Sequence, residues 1–348
     1  MGVKISTLIK PALTEITLPN LLGKKIAIDA FNSIYQFLAT IRQPDGTPLR
    51  DHQGNVTSHL SGLLFRTLRL IENDIKPLYV FDGPPHELKS QIVQERREKR
   101  EEEKHKMLQA QDEGDFEEAM KHAQASSKLT SEMIEESKQM LNYMGVPYIE
   151  APHDGEAEAA RLTNEGLVWA CSSQDYDSLL FGSSRLVRNL TMSRTRRVKG
   201  TTIEVQIEYY FLEKVLNELK ITREQLIDIG ILVGVDFFPG FKGLGEKTAY
   251  KLIKENGSIE TIINKGIEVR NTPIEIDLEL LNTLRKIFLN VKKPDKIPNF
   301  VWKKPDEEKL RELLIEQKNF SEERVSSAIK RLVQKKSQKS QVNLDRFF

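Results

Sequence analysis

The chain contains four short, unbroken apolar runs, and each of them leads to an aspartate. The runs span residues 26–28, 78–81, 146–149 and 167–171, and the aspartates are Asp29, Asp82, Asp154 and Asp175. Such runs without alternation are typical of strands buried on both faces, as in a parallel sheet covered by helices. The segments between them have helical periodicity, as at positions 60, 63, 64, 67, 68 and 71. We therefore predict an α/β fold with a mostly parallel central sheet flanked by helices.

In open α/β sheets, ligands bind beyond the carboxyl ends of the strands, so these aspartates should converge on one edge. Three further carboxylates follow the same runs or a later turn: Glu156, Asp177 and Asp236. A single aspartate at a strand end is more often a helix cap or a turn former, but repetition over several strands favours a shared site. By contrast, Glu158 should point elsewhere on a helix, and we expect it to be an ordinary surface charge.

Seven like charges in a partly dry site repel one another unless a counterion joins them. Carboxylate ligands favour Mg²⁺ or Mn²⁺, and the six histidines show no ligand spacing of the kind that zinc sites use. The sequence therefore predicts two Mg²⁺ ions, with Mn²⁺ as the alternative ion. Two such ions can activate a water and stabilise the leaving oxygen of a phosphodiester.

Residues 86–142 show no strand signal, and residues 87–106 include seven Lys or Arg and six Glu. This composition indicates a long, charged helical insertion with a turn near Gly114; a solvated helix held by i,i+4 ion pairs is the alternative. Further along, Lys199 and Gly200 before residues 201–207 indicate a hairpin or an edge-strand pair. The rest is largely helical, and a Gly-x-Gly turn at residues 243–245 exposes backbone N–H groups to a phosphate.

The composition limits the class of protein. Of the 348 residues, 39% are hydrophobic and 30% are charged, as in soluble globular proteins. The 52 Lys and Arg balance 51 Asp and Glu, so any DNA binding must come from the distribution of charge. The single cysteine, Cys171, excludes a disulfide framework, and no apolar stretch approaches the ~18 residues of a membrane span. We expect an intracellular, soluble protein whose residues 330–339, with five basic and no acidic side chains, are disordered.

Taken in order, these motifs resemble the flap-endonuclease family of 5′ nucleases, in particular its archaeal and eukaryotic branch. The matching segments are Met1-Gly2-Val3, residues 26–30, 33–38 and 79–83, Gly155-Glu156-Ala157, residues 173–182, and Gly234-Val235-Asp236. The resemblance covers nearly the whole chain. It implies a structure-specific 5′ flap endonuclease, with 5′–3′ exonuclease activity, that cuts branched double-stranded DNA with a 5′ flap in replication and repair. Such an enzyme would be cytoplasmic in an archaeon and nuclear in a eukaryote.

The resemblance also implies roles for individual residues. One metal ion would lie among Asp29, Asp82, Asp154 and Glu156, and the second among Glu156, Asp175, Asp177 and Asp236. The family usually has Glu where this chain has Asp154, whose shorter side chain would act through a water. Lys89 and Arg96 match the two residues of the family's helical arch, here about residues 86–142, that contact the scissile phosphate. They would face the same side, because seven residues make about two helical turns.

Other residues match the family's DNA contacts. Tyr35 would stack on a base near the cut, with a core aromatic as the alternative. Residues 222–257 resemble a helix-three-turn-helix, which grips the backbone of duplex DNA without reading sequence and often holds a K⁺ at its turn. On this resemblance the further DNA contacts are Gly2, Gly243, Gly245 and Lys247.

The end of the chain resembles the clamp-binding box of replication proteins, with Gln341, Leu344, Phe347 and Phe348 at the matching positions. Two adjacent phenylalanines at the end of a polar tail suit a partner's pocket better than a core. We therefore expect a monomeric nuclease core over residues 1–334 and a flexible tail over residues 335–348. The tail would bind a PCNA-type sliding clamp.

Two alternatives remain open. Another 5′ nuclease of the same superfamily, such as an excision-repair endonuclease or a junction resolvase, would share the acidic motifs, although the compact length and the terminal box favour flap processing. A non-catalytic, clamp-tethered binder of DNA structures belongs to a different class. It would gain nothing from seven carboxylates that repel one another.

Overall fold

The structure is a computed structural model that describes residues 2–43, 45–86, 88–89, 98, 100–107, 122, 126–198, 201–293 and 300–344. Within these residues the strands are β1 (Thr14–Ile16), β2 (Lys25–Asp29), β3 (Lys76–Phe81), β4 (Tyr148–Glu150), β5 (Ala170–Ser172), β6 (Arg185–Arg188), β7 (Thr195–Val198), β8 (Thr201–Glu204), β9 (Ile207–Phe211), β10 (Glu268–Val269) and β11 (Thr272–Pro273). Seven of them form one sheet in the order β1-β9-β6-β5-β2-β3-β4. The pairs from β6 to β4 are parallel, and β9 is antiparallel to both β6 and β1. The predicted mostly parallel sheet is confirmed.

Helices cover both faces of this sheet. In the described part of the chain the α-helices are α1 (Ser6–Ile9), α2 (Ala30–Thr40), α3 (Ser58–Glu72), α4 (Ser131–Tyr143), α5 (Gly155–Asn164), α6 (Asp177–Leu180), α7 (Leu212–Leu219), α8 (Arg223–Val233), α9 (Glu246–Asn256), α10 (Ile259–Asn264), α11 (Leu278–Leu289), α12 (Glu307–Arg311) and α13 (Glu322–Leu344). Two 3₁₀ turns (Lys10–Ala12 and Leu18–Leu21) and a π-helical turn (Glu312–Gln317) complete the helical segments. The predicted helix through residues 60–71 is confirmed as α3.

The central strands send alternate side chains to opposite faces, so two cores form. Ile26 and Ile28 of β2 join the core built with α2, α3 and α13, whereas Ala27 joins the core covered by α5. On the first face, α2 and α3 pack so closely that a Cβ at Gly62 would lie 2.3 Å from the Phe37 ring. Glycine at this position therefore permits the close packing. This packing fixes β2, β3 and β5 as the rigid centre from whose carboxyl ends the acidic residues emerge.

The chain changes direction across the sheet beside β2. From β2 it proceeds to β3 and β4 on one side, and it then crosses to β5 and β6 on the other side. Such a switch point leaves a crevice at the carboxyl edge, which is where open α/β sheets bind their ligands. Asp29 and Asp175 therefore lie on either side of this crevice.

Two expectations about strands have different outcomes. The hairpin is confirmed as the antiparallel pair β7 and β8, whose turn lies outside the described residues. The expectation that all four acidic runs are buried on both faces is wrong for β4. This strand pairs only with β3 at the edge of the sheet, and Tyr148 is consequently 37% exposed.

The charged insertion is shorter than expected at its far end. Helix α4, which includes residues up to 143, packs Met140 and Leu141 into the core beside α3. Residues 131–142 therefore belong to the core, and the expected turn near Gly114 lies outside the described residues. Residues 100–107 are helical, as the charge pattern predicted.

The predicted disorder is wrong for residues 330–335, because they belong to α13, Leu332 is buried, and the Lys335 ammonium pairs with Asp74 at 3.3 Å. Val325, Ala328, Ile329 and Leu332 form a buried stripe at helical spacing, and this stripe seals one face of the core. Composition alone had hidden the stripe among basic and polar neighbours. Phe347 and Phe348 lie outside the described residues, and the flexible tail from residue 335 stays a prediction. No helix in the described part of the chain has the length and apolarity needed to cross a membrane.

Candidate active site

The first two acidic residues lie at the carboxyl ends of two neighbouring strands, β2 and β3. Asp29 ends β2 and caps α2 by accepting a hydrogen bond from the Asn32 backbone N–H at 2.9 Å. Asp82 follows β3 directly and accepts a hydrogen bond from the Gly155 N–H at 2.8 Å. A Cβ at Gly155 would lie 2.7 Å from the same Asp82 oxygen, so only glycine permits this approach. Helix α5 is thereby held against the end of β3.

The start of helix α5 places two more carboxylates, Asp154 and Glu156, at the carboxyl edge of the sheet. Asp154 is its N-cap and accepts a hydrogen bond from the Ala157 N–H at 3.1 Å, while its other carboxylate oxygen pairs with the Lys89 ammonium. Glu156 lies in the first turn and is 9% exposed. Its Oε1 atom is buried, and no described residue offers it a hydrogen-bond partner. An unsatisfied buried carboxylate oxygen is costly, and it marks a position where a cation or water fits.

Asp175 and Asp177 follow β5 on the other side of the crevice. The Asn32 side-chain amide donates to Asp175 at 3.0 Å, and its carbonyl accepts from the Gln174 N–H. Asp177 begins α6, is 4% exposed, and accepts a hydrogen bond from the Val3 N–H at 2.6 Å. Gly2 lies against both aspartates: a Cβ there would be 2.6 Å from Asp175 Cβ. The start of the chain is thus built into the acidic edge.

Asp236 does not follow a strand of the sheet; it lies in the turn after α8. Gly234 ends that helix with a φ of 112°, and a Cβ there would lie 2.6 Å from the Pro239 carbonyl. A cavity of about 570 Å³ opens at this point, and Asp82, Asp154 and Asp236 line it together with Lys89. The other four carboxylates are not part of the lining of this cavity.

The seven carboxylates interact electrostatically. Burial raises the pKa of Asp82 to about 7 and that of Asp177 to about 8, with Asp154 adding to the first shift and Asp236 to the second. Burial also raises the pKa of Asp29 and of Glu156 well above their usual range. The charge of Asp82 adds most to the pKa shift of Asp29, and the charge of Asp177 adds most to that of Glu156. The predicted convergence on one edge is therefore observed.

The donor atoms and the charge of this site suit a hard divalent cation. Its donors are carboxylate oxygens, one buried oxygen is unsatisfied, and the like charges need a counterion. Among the described residues, no group of three or more His, Cys, Asp or Glu side chains forms a ready-made metal site. The role of the seven residues as metal ligands stays a prediction.

Lys89 is the cation nearest to this edge. Its ammonium pairs with Asp154 and lies 5.1 Å from the centre of the Phe237 ring. Burial would lower the pKa of Lys89, but the facing charges of Asp154 and Asp82 raise it overall, so the side chain stays protonated. Arg96, its expected partner, lies outside the described residues.

Tyr35 lines the cavity and is only half-buried, with the Arg100 guanidinium 4.9 Å from the centre of its ring. This placement favours the predicted base-stacking role over the alternative of a core aromatic. On the turn between α8 and α9, Gly243, Gly245 and Lys247 are all exposed. Their backbone and ammonium groups are accessible to a phosphate, as the predicted DNA contact requires.

Two residues near the edge were misjudged from the sequence. The prediction that Glu158 is an ordinary surface charge is wrong: it is 2% exposed and holds Arg161 through two hydrogen bonds of 2.6 and 2.7 Å. Asn32, which connects Asp29, Asp175 and Gln174, was missed. Its position three residues after a strand-end aspartate was the available signal, because the side chain of a helix N-cap accepts a hydrogen bond from the backbone N–H at that position.

Comparison with known proteins agrees with this site. Residues 1–103 match the XPG N-terminal domain, and residues 145–236 match the XPG I-region. Flap endonuclease 1 of Sulfurisphaera tokodaii is 46% identical over 353 residues, which cover 99% of each chain. The structure of flap endonuclease-1 from Methanococcus jannaschii is similar with a TM-score of 0.75 and 38% identity, over 97% of this chain and all of that one. The catalytic core of Rad2 in complex with DNA substrate has a TM-score of 0.73 and 25% identity, over 96% of this chain and all of that one.

The fold and the acidic edge thus define a nuclease of the XPG class, since both XPG regions contribute residues to the carboxylate cluster. Identity to relatives within that class extends over essentially the full length of both sequences. The chain belongs to the flap endonuclease 1 family of structure-specific 5′ nucleases.

The raised pKa values predict how stability changes with pH in the metal-free protein. Between about pH 4, where unfolded aspartates ionise, and pH 8, where folded Asp177 ionises, the folded chain binds protons that the unfolded chain has lost. The free energy of unfolding should therefore fall as the pH rises through this window. In EDTA, Asp177→Asn should be more stable than the wild type at pH 8, by on the order of 1–3 kcal/mol, and should show a weaker pH dependence.

Thermal melts at pH 5 to 8 in EDTA measure this effect. Asp277→Asn is the matched control, because Asp277 is an exposed helix cap at which asparagine serves equally well. A wild-type melting temperature that rises steadily over this range would contradict the prediction.

Proposed function

We propose that this chain is a Mg²⁺-dependent 5′ flap endonuclease, with 5′–3′ exonuclease activity, acting on branched DNA in replication and repair. The observation that supports this most directly is the buried cluster of carboxylates at the switch point of the sheet, with an unsatisfied Glu156 oxygen among them. A protein that only bound DNA would be destabilised by these charges and would gain nothing from them. The monomeric state and intracellular location are part of the same proposal.

The seven carboxylates would form two sets of ligands, one for each ion, and Glu156 would belong to both sets. Asp29, Asp82, Asp154 and Glu156 would serve one ion, and Glu156, Asp175, Asp177 and Asp236 the other. Mg²⁺, or Mn²⁺ in its place, would supply an activated water and charge neutralisation at the phosphate. Asn32 orients Asp29 and Asp175, because it donates to both from the first turn of α2. The Val3 N–H does the same for Asp177.

Lys89 would stabilise the negative charge that the scissile phosphate gains during cleavage. Its ammonium is held at the cavity wall between Asp154 and the Phe237 ring, so it is already positioned at the acidic edge. Arg96 would act with it. Tyr35 would stack on a base beside the cut, and Gly2 would contact the DNA next to Asp175 and Asp177.

Duplex DNA would be gripped by the turn between α8 and α9. Gly243 and Gly245 leave backbone N–H groups exposed at the start of α9, and Lys247 lies in its first turn. A K⁺ ion at the turn would join its carbonyls to a phosphate. The similarity to a Rad2 core that was solved with DNA substrate supports this use of the fold. Flap processing is preferred over the other 5′ nuclease activities because the full-length relatives of equal size are flap endonucleases.

We expect Asp177→Asn to lower cleavage of a labelled 5′ flap in Mg²⁺ by ~10²-fold or more, because it removes an anionic ligand from the cluster. Binding of the same DNA should change only a few fold, since no DNA contact is lost. Cleavage and binding are measured on one flap substrate, with wild type in EDTA as the reference for zero activity. Wild-type protein that does not cut flaps in Mg²⁺ would refute the proposed function. A variant with near wild-type turnover would remove Asp177 from the site.

Lys89→Ala should reduce turnover by ~10²-fold while changing the affinity for DNA much less. The reason is that the ammonium stabilises the negative charge on the scissile phosphate more strongly in the transition state than in the bound substrate. Lys89→Arg, which keeps the charge, should recover part of the rate, and single-turnover cleavage separates this effect from product release. Equal rates for Lys89→Ala and wild type would show that the lysine only neutralises Asp154.

We further propose that the last residues bind a sliding clamp. The support is the sequence pattern of Gln341, Leu344, Phe347 and Phe348. Among the side chains of α13 that the structure describes, Leu332 is the last buried one. Short terminal segments with adjacent aromatic side chains are a common mode of partner recognition.

Deleting residues 341–348 should abolish stimulation by a sliding clamp and leave clamp-free flap cleavage unchanged. The deletion begins nine positions after Leu332, so it leaves the described buried stripe of α13 intact. Clamp is titrated against the full-length and shortened proteins, and both binding and cleavage are followed. Retained clamp binding would overturn the assignment of the box, whereas loss of clamp-free cleavage would place these residues in the nuclease itself.

A further inference from the structure

Part of the lining of the cavity beside the carboxylates is not used by the catalytic proposal. Helix α11 contributes Thr283, Lys286, Ile287 and Asn290 to it, and Lys292 follows just beyond the helix. These helical positions follow the spacing i, i+3, i+4 and i+7, so they form one continuous face. We refer to this face, with Lys292, as the α11 wall.

The two lysines of the α11 wall differ from the basic residues beside them. Lys286 and Lys292 are exposed, and within the described part of the chain neither pairs with a carboxylate. In contrast, the neighbouring Arg285 holds Asp228 at 2.7 Å and also pairs with Glu260. Lys293 pairs with Glu165 at 3.2 Å and does not line the cavity. Of the basic residues 285, 286, 292 and 293, the two that line the cavity are therefore the ones available to an anion.

The lining of the cavity carries charges of both signs. Asp82, Asp154 and Asp236 line it, and so do Lys286 and Lys292. A phosphodiester strand in this cavity would be repelled by the carboxylates and attracted by the lysines. Its phosphates would turn toward α11. Its bases could then stack on the aromatic side chains of Phe31 and Tyr35, which also line the cavity.

The size of the cavity limits what can enter. About 570 Å³ is typical of a site for a small molecule, so it suits a nucleotide or two of single strand and is too small for a duplex. In a branched substrate only the unpaired 5′ segment meets this condition. The cavity therefore suits the displaced strand, whereas the duplex arms must lie outside it.

We propose that Lys286 and Lys292 form a phosphate-binding wall for the single-stranded 5′ segment of the substrate and so determine the preference for DNA with a flap. This inference rests on the proposed flap endonuclease function and adds to it the residues that recognise the flap. The lysines are specificity determinants. They line the same cavity as three of the carboxylates, but they are not placed at the reacting phosphate.

The test compares two DNA duplexes that differ only in a short 5′ single strand at a nick. Binding is measured in EDTA over a range of salt concentrations, so the readout does not depend on cleavage. The double variant Lys286→Ala/Lys292→Ala should bind the flapped duplex about tenfold more weakly. The slope of log affinity against log salt should fall in magnitude by about 1.4, or about 0.7 for each lost phosphate contact. Binding of the duplex without a flap should stay within twofold.

Two further variants make the result specific. Lys286→Arg/Lys292→Arg keeps both charges and should retain the affinity for the flap, and Lys293→Ala should behave as wild type because Lys293 lies off the cavity. Equal weakening on both duplexes, or no weakening on either, would overturn the proposal. Flap cleavage by the wild type in Mg²⁺ is measured in parallel. If the wild type cuts flaps but the double variant shows no flap-specific loss, this inference fails and the proposed function stands.

Discussion

Seven carboxylates share one edge of the sheet, and each of them makes the ionisation of its neighbours more costly. The raised pKa values of Asp29, Asp82, Glu156 and Asp177 express this repulsion together with the loss of water around them. A fold normally avoids such burial, because an unpaired charge costs several kcal/mol. Here the cost is concentrated at the switch point of a rigid sheet. It can be relieved there by a cation, and the cluster is thereby ready for phosphodiester chemistry.

Backbone N–H groups and a side-chain amide hold the carboxylates close together despite that repulsion. The N–H groups of Val3 and Gly155 and the side chain of Asn32 each donate to an aspartate from a different element. Glycine is needed where these contacts are closest, since a Cβ at Gly2 or Gly155 would overlap the carboxylate that it faces. The site is therefore a preorganised arrangement in which the first residues of the chain, α2 and α5 all converge.

Cations are distributed around this edge in a way that net charge does not reveal. Lys89 neutralises Asp154 at the cavity wall, Arg161 pairs with the buried Glu158, and Arg285 is held by Asp228. Other basic side chains have no such partner among the described residues, and those of Lys286 and Lys292 face the cavity. A nearly neutral protein can thus carry unpaired lysines and acidic side chains in the lining of one cavity. Charge distribution, rather than total charge, sets the local potential that a DNA strand would meet there.

The sequence alone determined the parallel sheet, the helices that follow its strands and the identity of the acidic residues. Apolar runs that end in aspartate are local signals, and the family motifs keep their order along the chain. It did not reveal that β4 is an edge strand, that Glu158 is buried with Arg161, or that α13 continues past residue 330, because each depends on which surface a distant segment covers. The α11 wall is the clearest case. Lys286 and Lys292 resemble any surface lysines in the sequence, and only tertiary packing brings them into the lining of one cavity with Asp82 and Asp236.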